Sequence, residues 1–174
     1  FVWFDMENHL RTDTTLDVLE QMTQMAPGSV GVCLQANLRR TYDDLARLVR
    51  LPGGIRLTKG AYAPPAGVAF TGQDTINNAF LTHLTTLFTE HTGKIAVGTH
   101  DPAMIDAAIK RYERYGTEFE FQMLKGVRES AQTTLANEYD VWQYIPFGDR
   151  WFSYFYRRIR ERKGNMVFAA RAIL

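Results

Sequence analysis

The feature that most constrains this chain is an alternation. Six short apolar runs rich in branched and aromatic residues are separated by stretches with helical spacing. The runs are Val2–Asp5, Val30–Gln35, Ile55–Lys59, Ile95–Gly98, Phe119–Met123 and Val141–Ile145. Short, nearly continuous apolar runs of this kind suit parallel strands buried on both faces. Between them, apolar residues recur at helical intervals: Leu16, Leu19 and Met22; Leu45, Leu48 and Val49; Ile76, Phe80, Leu84 and Leu87; Ile105, Ala108 and Ile109. A last helical stretch is aromatic, with Trp151, Phe152, Tyr154 and Phe155. Strand and helix in strict alternation mean βαβ units and a parallel sheet.

Local signals place the helix starts. Asp101-Pro102 puts a capping carboxylate before a proline at the first helical position, where its missing N–H costs nothing. Thr41 and Asp44 have nearly the spacing of a capping box, and Asp74 is placed to cap the third helix. Gly53-Gly54 and Gly93 precede strands, where helix-to-strand loops turn. The longest irregular stretch, residues 61–72 with Pro64 and Pro65, follows the third run and reads as an active-site loop.

Both an open doubly wound sheet and a closed barrel accommodate this pattern, and the polar residues separate them. Asp5, Gln35, Lys59, Thr99-His100, Gln122 and Tyr144 fall at the C-terminal ends of their runs. Barrel strands all deliver their C-termini to one mouth, and catalytic residues come from many of them. An open sheet concentrates function at one switch point, usually behind a glycine-rich turn, and neither GxGxxG nor GxxxxGK[ST] occurs here. The expected fold is therefore α/β, a (β/α)8 TIM-barrel-like domain over residues 1–174. It is incomplete, since six βα units do not close an eight-stranded barrel. The chain starts inside a run, so the two missing units are expected upstream of Phe1.

Composition removes other classes. A net charge of +1 argues against binding nucleic acid by broad phosphate neutralisation. The single cysteine, Cys33, can form no internal disulfide and suits a reducing compartment. No apolar run approaches the roughly 20 residues of a membrane span. His9, His83 and His91 lie on or beside helical stretches and are expected to be solvated, so no metal site is indicated.

The run ends carry the chemistry. Asp5 is either a cap or a carboxylate delivered to the rim. Arg56 inside a strand needs an ion pair or an anionic ligand, and Lys59 just beyond it favours the ligand. Thr99-His100-Asp101 has the makings of a proton-transfer site. Arg157 and Arg158 precede Glu161 by four and three residues, so one helical face brings both cations to one carboxylate. This is either an ordinary solvated ion pair or, beside Trp151, Tyr154 and Phe155, a bidentate grip on a small carboxylate at the mouth. The residues alone thus indicate a barrel enzyme acting on a small carboxylate. They leave open a lyase or aldolase using Lys59 as a Schiff-base amine, or an inactive truncated scaffold.

The run ends also resemble, in order and along essentially the whole chain, the segments of the proline dehydrogenase family. The matching segments are Phe4-Asp5-Met6-Glu7-Asn8-His9, Gly31 to Leu38, Arg56-Leu57-Thr58-Lys59-Gly60-Ala61-Tyr62, Gly98-Thr99-His100-Asp101 and Glu120 to Arg128. The series closes with Tyr144 to Gly148, continuing through Trp151, Tyr154, Arg157, Arg158 and Glu161. The resemblance makes the runs strands three to eight of the barrel and implies FAD, with oxidation of L-proline to 1-pyrroline-5-carboxylate. It implies FAD contacts from Met6, Gln35, Arg56, Lys59, Gly60, Ala61, Thr99, His100 and Gln122. Arg157, Arg158 and Glu161 would hold the proline carboxylate, while Tyr62, Leu124 and Tyr144 line the ring pocket. Asp5 and Arg56 take the catalytic positions, and Asp5 would pair with a family lysine expected upstream of Phe1. A quinone would receive the electrons, with peripheral contact at the cytoplasmic face of a membrane. Without that lysine the 174 residues alone are expected to be inactive.

Overall fold

The computed structural model describes residues 1–61 and 64–149. Strands β1 (Val2–Phe4), β2 (Val30–Gln35), β3 (Gly54–Thr58), β4 (Ile95–Gly98), β5 (Glu120–Leu124) and β6 (Asp140–Tyr144) alternate with helices. These are α1 (Thr12–Met25), α2 (Thr41–Leu48), α3 (Gln73–Glu90), α4 (Pro102–Tyr115) and α5 (Glu129–Leu135), with a 3-10 turn at His9–Arg11 before α1. β2 and β4 have the predicted boundaries, and the other strands shift by a residue or so. Helix α5 carries no apolar periodicity. Its one buried residue is Gln132, so no helical stripe marks it in the sequence.

The strands form one sheet in strict chain order, every neighbouring pair parallel. This order decides the architecture. Parallel crossovers are right-handed, and every step here moves the same way across the sheet, so all connecting helices land on one side. A doubly wound sheet would reverse direction and place helices on both. The expected α/β barrel class is borne out, as a curled half-barrel of six strands.

Residue alternation along the strands assigns the two faces. Val30, Val32, Leu34, Ile55, Leu57, Ile95, Val97, Phe121 and Met123 point outward. They form one core with Leu16, Leu19, Leu45, Leu48, Phe80, Leu84, Leu87, Met104 and Ile105 of the helices. Burying a Leu, Ile or Phe side chain contributes about 1.5–3 kcal/mol, so this layer holds the helices to the wall. The opposite face is not the second apolar surface that the runs suggested. It carries Trp3, Cys33, Gln35, Arg56, Thr58, Glu120 and Gln122, spaced by Gly31, Gly54, Ala96 and Gly98.

Asp101 caps α4 as predicted, accepting from the Ala103 N–H, with Pro102 in the first turn and Gly116 closing the helix at φ +68°. The other two predicted caps are not formed. Arg40 precedes α2, and Thr41 Oγ1 donates instead to the Gln35 carbonyl at 2.6 Å, tying the helix to the end of β2. Gly72 precedes α3 with no side-chain cap from Asp74. The expectation of solvated histidines fails for His83 and His91, both of which are buried. The His91 ring lies between the carbonyls of Val49 (2.7 Å) and Gly53 (3.1 Å), joining the ends of α2 and α3 to the start of β3. Burial pushes both imidazoles below their ordinary pKa.

Candidate active site

Arg56 is the centre of the concave face. β3 reads Gly54-Ile55-Arg56-Leu57-Thr58, so the two apolar side chains face the helices and the guanidinium faces inward. Its Nη2 donates to Asp5, which directly follows β1, and its Nη1 donates to Gln122 Oε1 of β5 at 2.8 Å. The guanidinium also lies 5.3 Å from the Trp3 ring centroid. Each contact skips a strand, and small residues make that possible. Ala96 is in register with Arg56 on β4, and Gly31 separates Trp3 from Gly54 on β2. A Cβ at Gly31 would come within 2.7 Å of the Trp3 ring, so the indole rests on bare backbone there. Arg56 is thereby paired by a carboxylate, an amide and an aromatic face. Three of its five N–H donors remain beyond these two bonds.

Lys59 takes a different direction, contrary to the expectation that it shares an anion with Arg56. Three residues on, it has the opposite parity, and Nζ donates to Asn77 Oδ1 (2.6 Å) on α3 and Asp101 Oδ2 (2.5 Å) before α4. This bond, ahead of the capping bond from Ala103, holds the Asp101 carboxyl below its usual range. Asp101 therefore serves as ion partner and cap rather than as a free base for His100. His100 Nε2 accepts from the Leu124 N–H at 2.9 Å, which requires that nitrogen to be unprotonated, and Thr99 Oγ1 accepts from the Asp101 N–H at 3.2 Å. His100 and Leu124 are thus neighbours across the ends of β4 and β5.

Gln35 is buried at the end of β2, in register with Thr58. Gly60 has φ +109° and packs on the Asn37 side chain, while Ala61 follows it into the loop. Tyr144 is exposed at the end of β6, in register with Leu124. Met6 differs in that its side chain belongs to the apolar core. Tyr62, Arg157, Arg158 and Glu161 lie outside the described residues.

Two participants were missed in the sequence: Asp5 as the partner of Arg56, and Glu120, which joins Gln122 at 2.6 Å and Lys94 at 2.8 Å. Glu120 was legible in principle. It shares the face of Gln122 by alternation, and a carboxylate in a buried strand requires a partner.

A family model described as proline dehydrogenase matches residues 1–171. The chain belongs to the proline dehydrogenase family. It is 37% identical to proline dehydrogenase 1 of Bacillus subtilis (strain 168), over 99% of this chain and 58% of that protein. It is 36% identical to the proline dehydrogenase of Deinococcus radiodurans, over 100% of this chain and 57% of that protein. The chain thus spans somewhat over half the length of these curated relatives. Among solved structures, a mutant of proline utilization A from Bradyrhizobium japonicum superposes with a TM-score of 0.77 at 24% identity. That match covers 98% of this chain and 20% of the other, and it shows a shared fold.

The donor set on the concave wall suits a flavin. It offers a fixed guanidinium, buried and half-buried amides at Gln35 and Gln122, and a histidine at the rim. The small residues Gly31, Ala96 and Gly98 make room on this wall for the Trp3 ring and for the Arg56 and Thr58 side chains, which keeps the guanidinium on the concave side. Among the described residues no cluster of His, Cys, Asp or Glu could hold a metal ion, and no helix is long and apolar enough to cross a membrane.

Proposed function

We propose that this chain forms the greater part of the catalytic barrel of a flavin-dependent proline dehydrogenase, oxidising L-proline to 1-pyrroline-5-carboxylate. The observation that carries this reading is Arg56. It stands on the concave face at the middle of β3, fixed by groups from either side, within the family segment Arg56-Leu57-Thr58-Lys59-Gly60-Ala61. FAD supplies the hydride-accepting centre when bound. Arg56 offers it a fixed positive donor that favours the electron-rich reduced ring. Gln35, Gln122, Thr99 and His100 provide further polar contacts, Met6 contributes through its backbone, and Lys59 with Gly60 and Ala61 lies toward the phosphates.

For the substrate, Arg157 and Arg158 hold the carboxylate and Glu161 orients them. Tyr62, Leu124 and Tyr144 enclose the ring. This grip fixes C5 for hydride removal, and the ring nitrogen must first give up a proton so that its lone pair can expel the hydride. Asp5 holds the far side of Arg56 throughout. Electrons pass on to a quinone, with peripheral membrane contact at the cytoplasmic face as the family resemblance implies. The aldolase reading is disfavoured by Lys59, whose Nζ is held by Asp101 and Asn77 away from the concave face.

The test is anaerobic addition of L-proline to the purified full-length protein. The expected result is a yellow protein whose flavin band bleaches. A colourless protein that borohydride traps covalently on Lys59 with a carbonyl compound would overturn the proposal.

A further inference from the structure

A buried carboxylate that contacts neither Arg56 nor the strand ends sits one link further down the wall. Glu120 opens β5, and its side chain is 6% exposed. Its Oε1 accepts from Gln122 Nε2 at 2.6 Å, and its Oε2 accepts from Lys94 Nζ at 2.8 Å. Gln122 in turn presents Oε1 to Arg56 Nη1 at 2.8 Å, and Arg56 Nη2 donates to Asp5. The result is a hydrogen-bonded chain across the concave face that joins Lys94, Glu120, Gln122, Arg56 and Asp5, with Glu120 accepting from both its neighbours and Arg56 donating to both of its own.

We infer that Glu120 is a positioning residue that fixes which end of the Gln122 amide faces Arg56, and so fixes the guanidinium. This rests on the reading of Arg56 as a flavin-binding group. A glutamine amide has an acceptor end and a donor end of almost equal size, so packing alone barely distinguishes them. An ionised carboxylate distinguishes them fully, because it can only accept. With Glu120 in place, Nε2 must point to it and Oε1 must point to Arg56. Lys94 supplies the cationic partner that a buried carboxylate needs. Strand alternation makes the device possible: residues 120 and 122 share the inner face, and Ala96, in register with both Arg56 and Glu120, leaves the way clear over β4.

In E120Q the Lys94 ammonium draws the new amide oxygen toward itself. The new amide then offers a donor to Gln122, which must turn its own oxygen toward residue 120 and leave a donor facing Arg56. Removing Lys94 as well releases the constraint, because residue 120 can again turn an acceptor toward Gln122. K94M/E120Q should therefore recover what E120Q loses. Exchange of the two residues, E120Q/Q122E, also satisfies every donor, whereas Q122E alone sets two carboxylates together.

The experiment uses full-length protein labelled with 15N in glutamine side chains, the Gln122 signal assigned by its loss in Q122M, together with titration of the apoprotein with FAD. The expected wild-type spectrum shows one Gln122 amide proton displaced downfield by its carboxylate acceptor. E120Q should lose that displacement and bind FAD about tenfold more weakly, and K94M/E120Q should return to within about threefold of wild type. If E120Q does not fold, E120Q/Q122E should bind FAD more tightly than Q122E. An unchanged Gln122 signal and FAD affinity in E120Q would overturn the inference, as would a K94M/E120Q double variant no better than E120Q. Failure of the wild type to bind FAD would overturn the flavin reading of Arg56 instead, and the amide signals would still decide the relay.

Discussion

At the scale of single residues, the concave face separates two cations that sequence spacing had grouped. Arg56 is committed to the inner network and Lys59 to the support of the rim, where Asp101 serves it and α4 together. The two duties of Asp101 separate by substitution. D101N keeps a capping oxygen and loses the ion pair, while D101A loses both, so D101A should be the less stable by about 1 kcal/mol in denaturant unfolding. The pH dependence has a definite sign. A carboxyl with a lowered folded-state pKa stabilises the fold fully above its ordinary value of about 4, and that contribution vanishes as the pH falls through the lower folded value. The melting-temperature gap between wild type and D101N should therefore be present at pH 7 and close in stronger acid. Arg157, assigned to the substrate carboxylate, calls for a kinetic test. R157M in the full-length protein should raise KM for proline by an order of magnitude or more, with flavin absorbance retained. Comparable loss of bound flavin would contradict that role.

At the scale of elements, the loop that follows β3 is stitched to the loop that follows β2. Ala36 and Asn37 donate to the carbonyls of Thr58 and Lys59, Phe70 donates back to Asn37, and Arg39 lies 4.6 Å over the Phe70 ring. Gly60 sits within this seam at φ +109°, a conformation that L side chains rarely adopt, against the Asn37 side chain. G60A should therefore cost about 1–3 kcal/mol by chemical denaturation. N37G/G60A should recover only part of this, since it relieves the contact and not the backbone. The sequence marked this loop as functional from its length and prolines, but gave no sign that β2 anchors it. Such anchoring consists of backbone hydrogen bonds between distant segments, to which side-chain identity contributes little. Helix α5 escaped notice for a related reason. Its packing residue is Gln132, whose amide donates to the Leu124 and Val127 carbonyls and accepts from Gln143, so polar bonds replace an apolar stripe.

At the scale of the molecule, the described residues make a sheet that curls without closing, since six strands are present where the family barrel needs eight. β1 and β6 are edges, and Trp142, Tyr144, Ile145 and Phe147 are exposed along or beyond β6. Unpaired strand edges next to exposed apolar side chains favour association. The 174 residues expressed by themselves should accordingly bind FAD weakly, oxidise no proline and self-associate, as measured by flavin retention on gel filtration and by light scattering. A monomeric, yellow, active preparation would contradict this.

What the sequence determined by itself was local and periodic. The strands, four of the helices, the Asp101 cap and the barrel class follow from alternation, propensity and the positions of the polar strand ends. Tertiary structure alone decided the partners. Asp5 and Arg56 are fifty-one residues apart, and Arg56 and Gln122 sixty-six. Which polar group meets which depends on strand register and on the small side chains of the strands between, and neither is written in the spacing of the residues that meet. The two buried histidines were misjudged for the same reason, because burial is a property of how helices pack and not of the helices themselves.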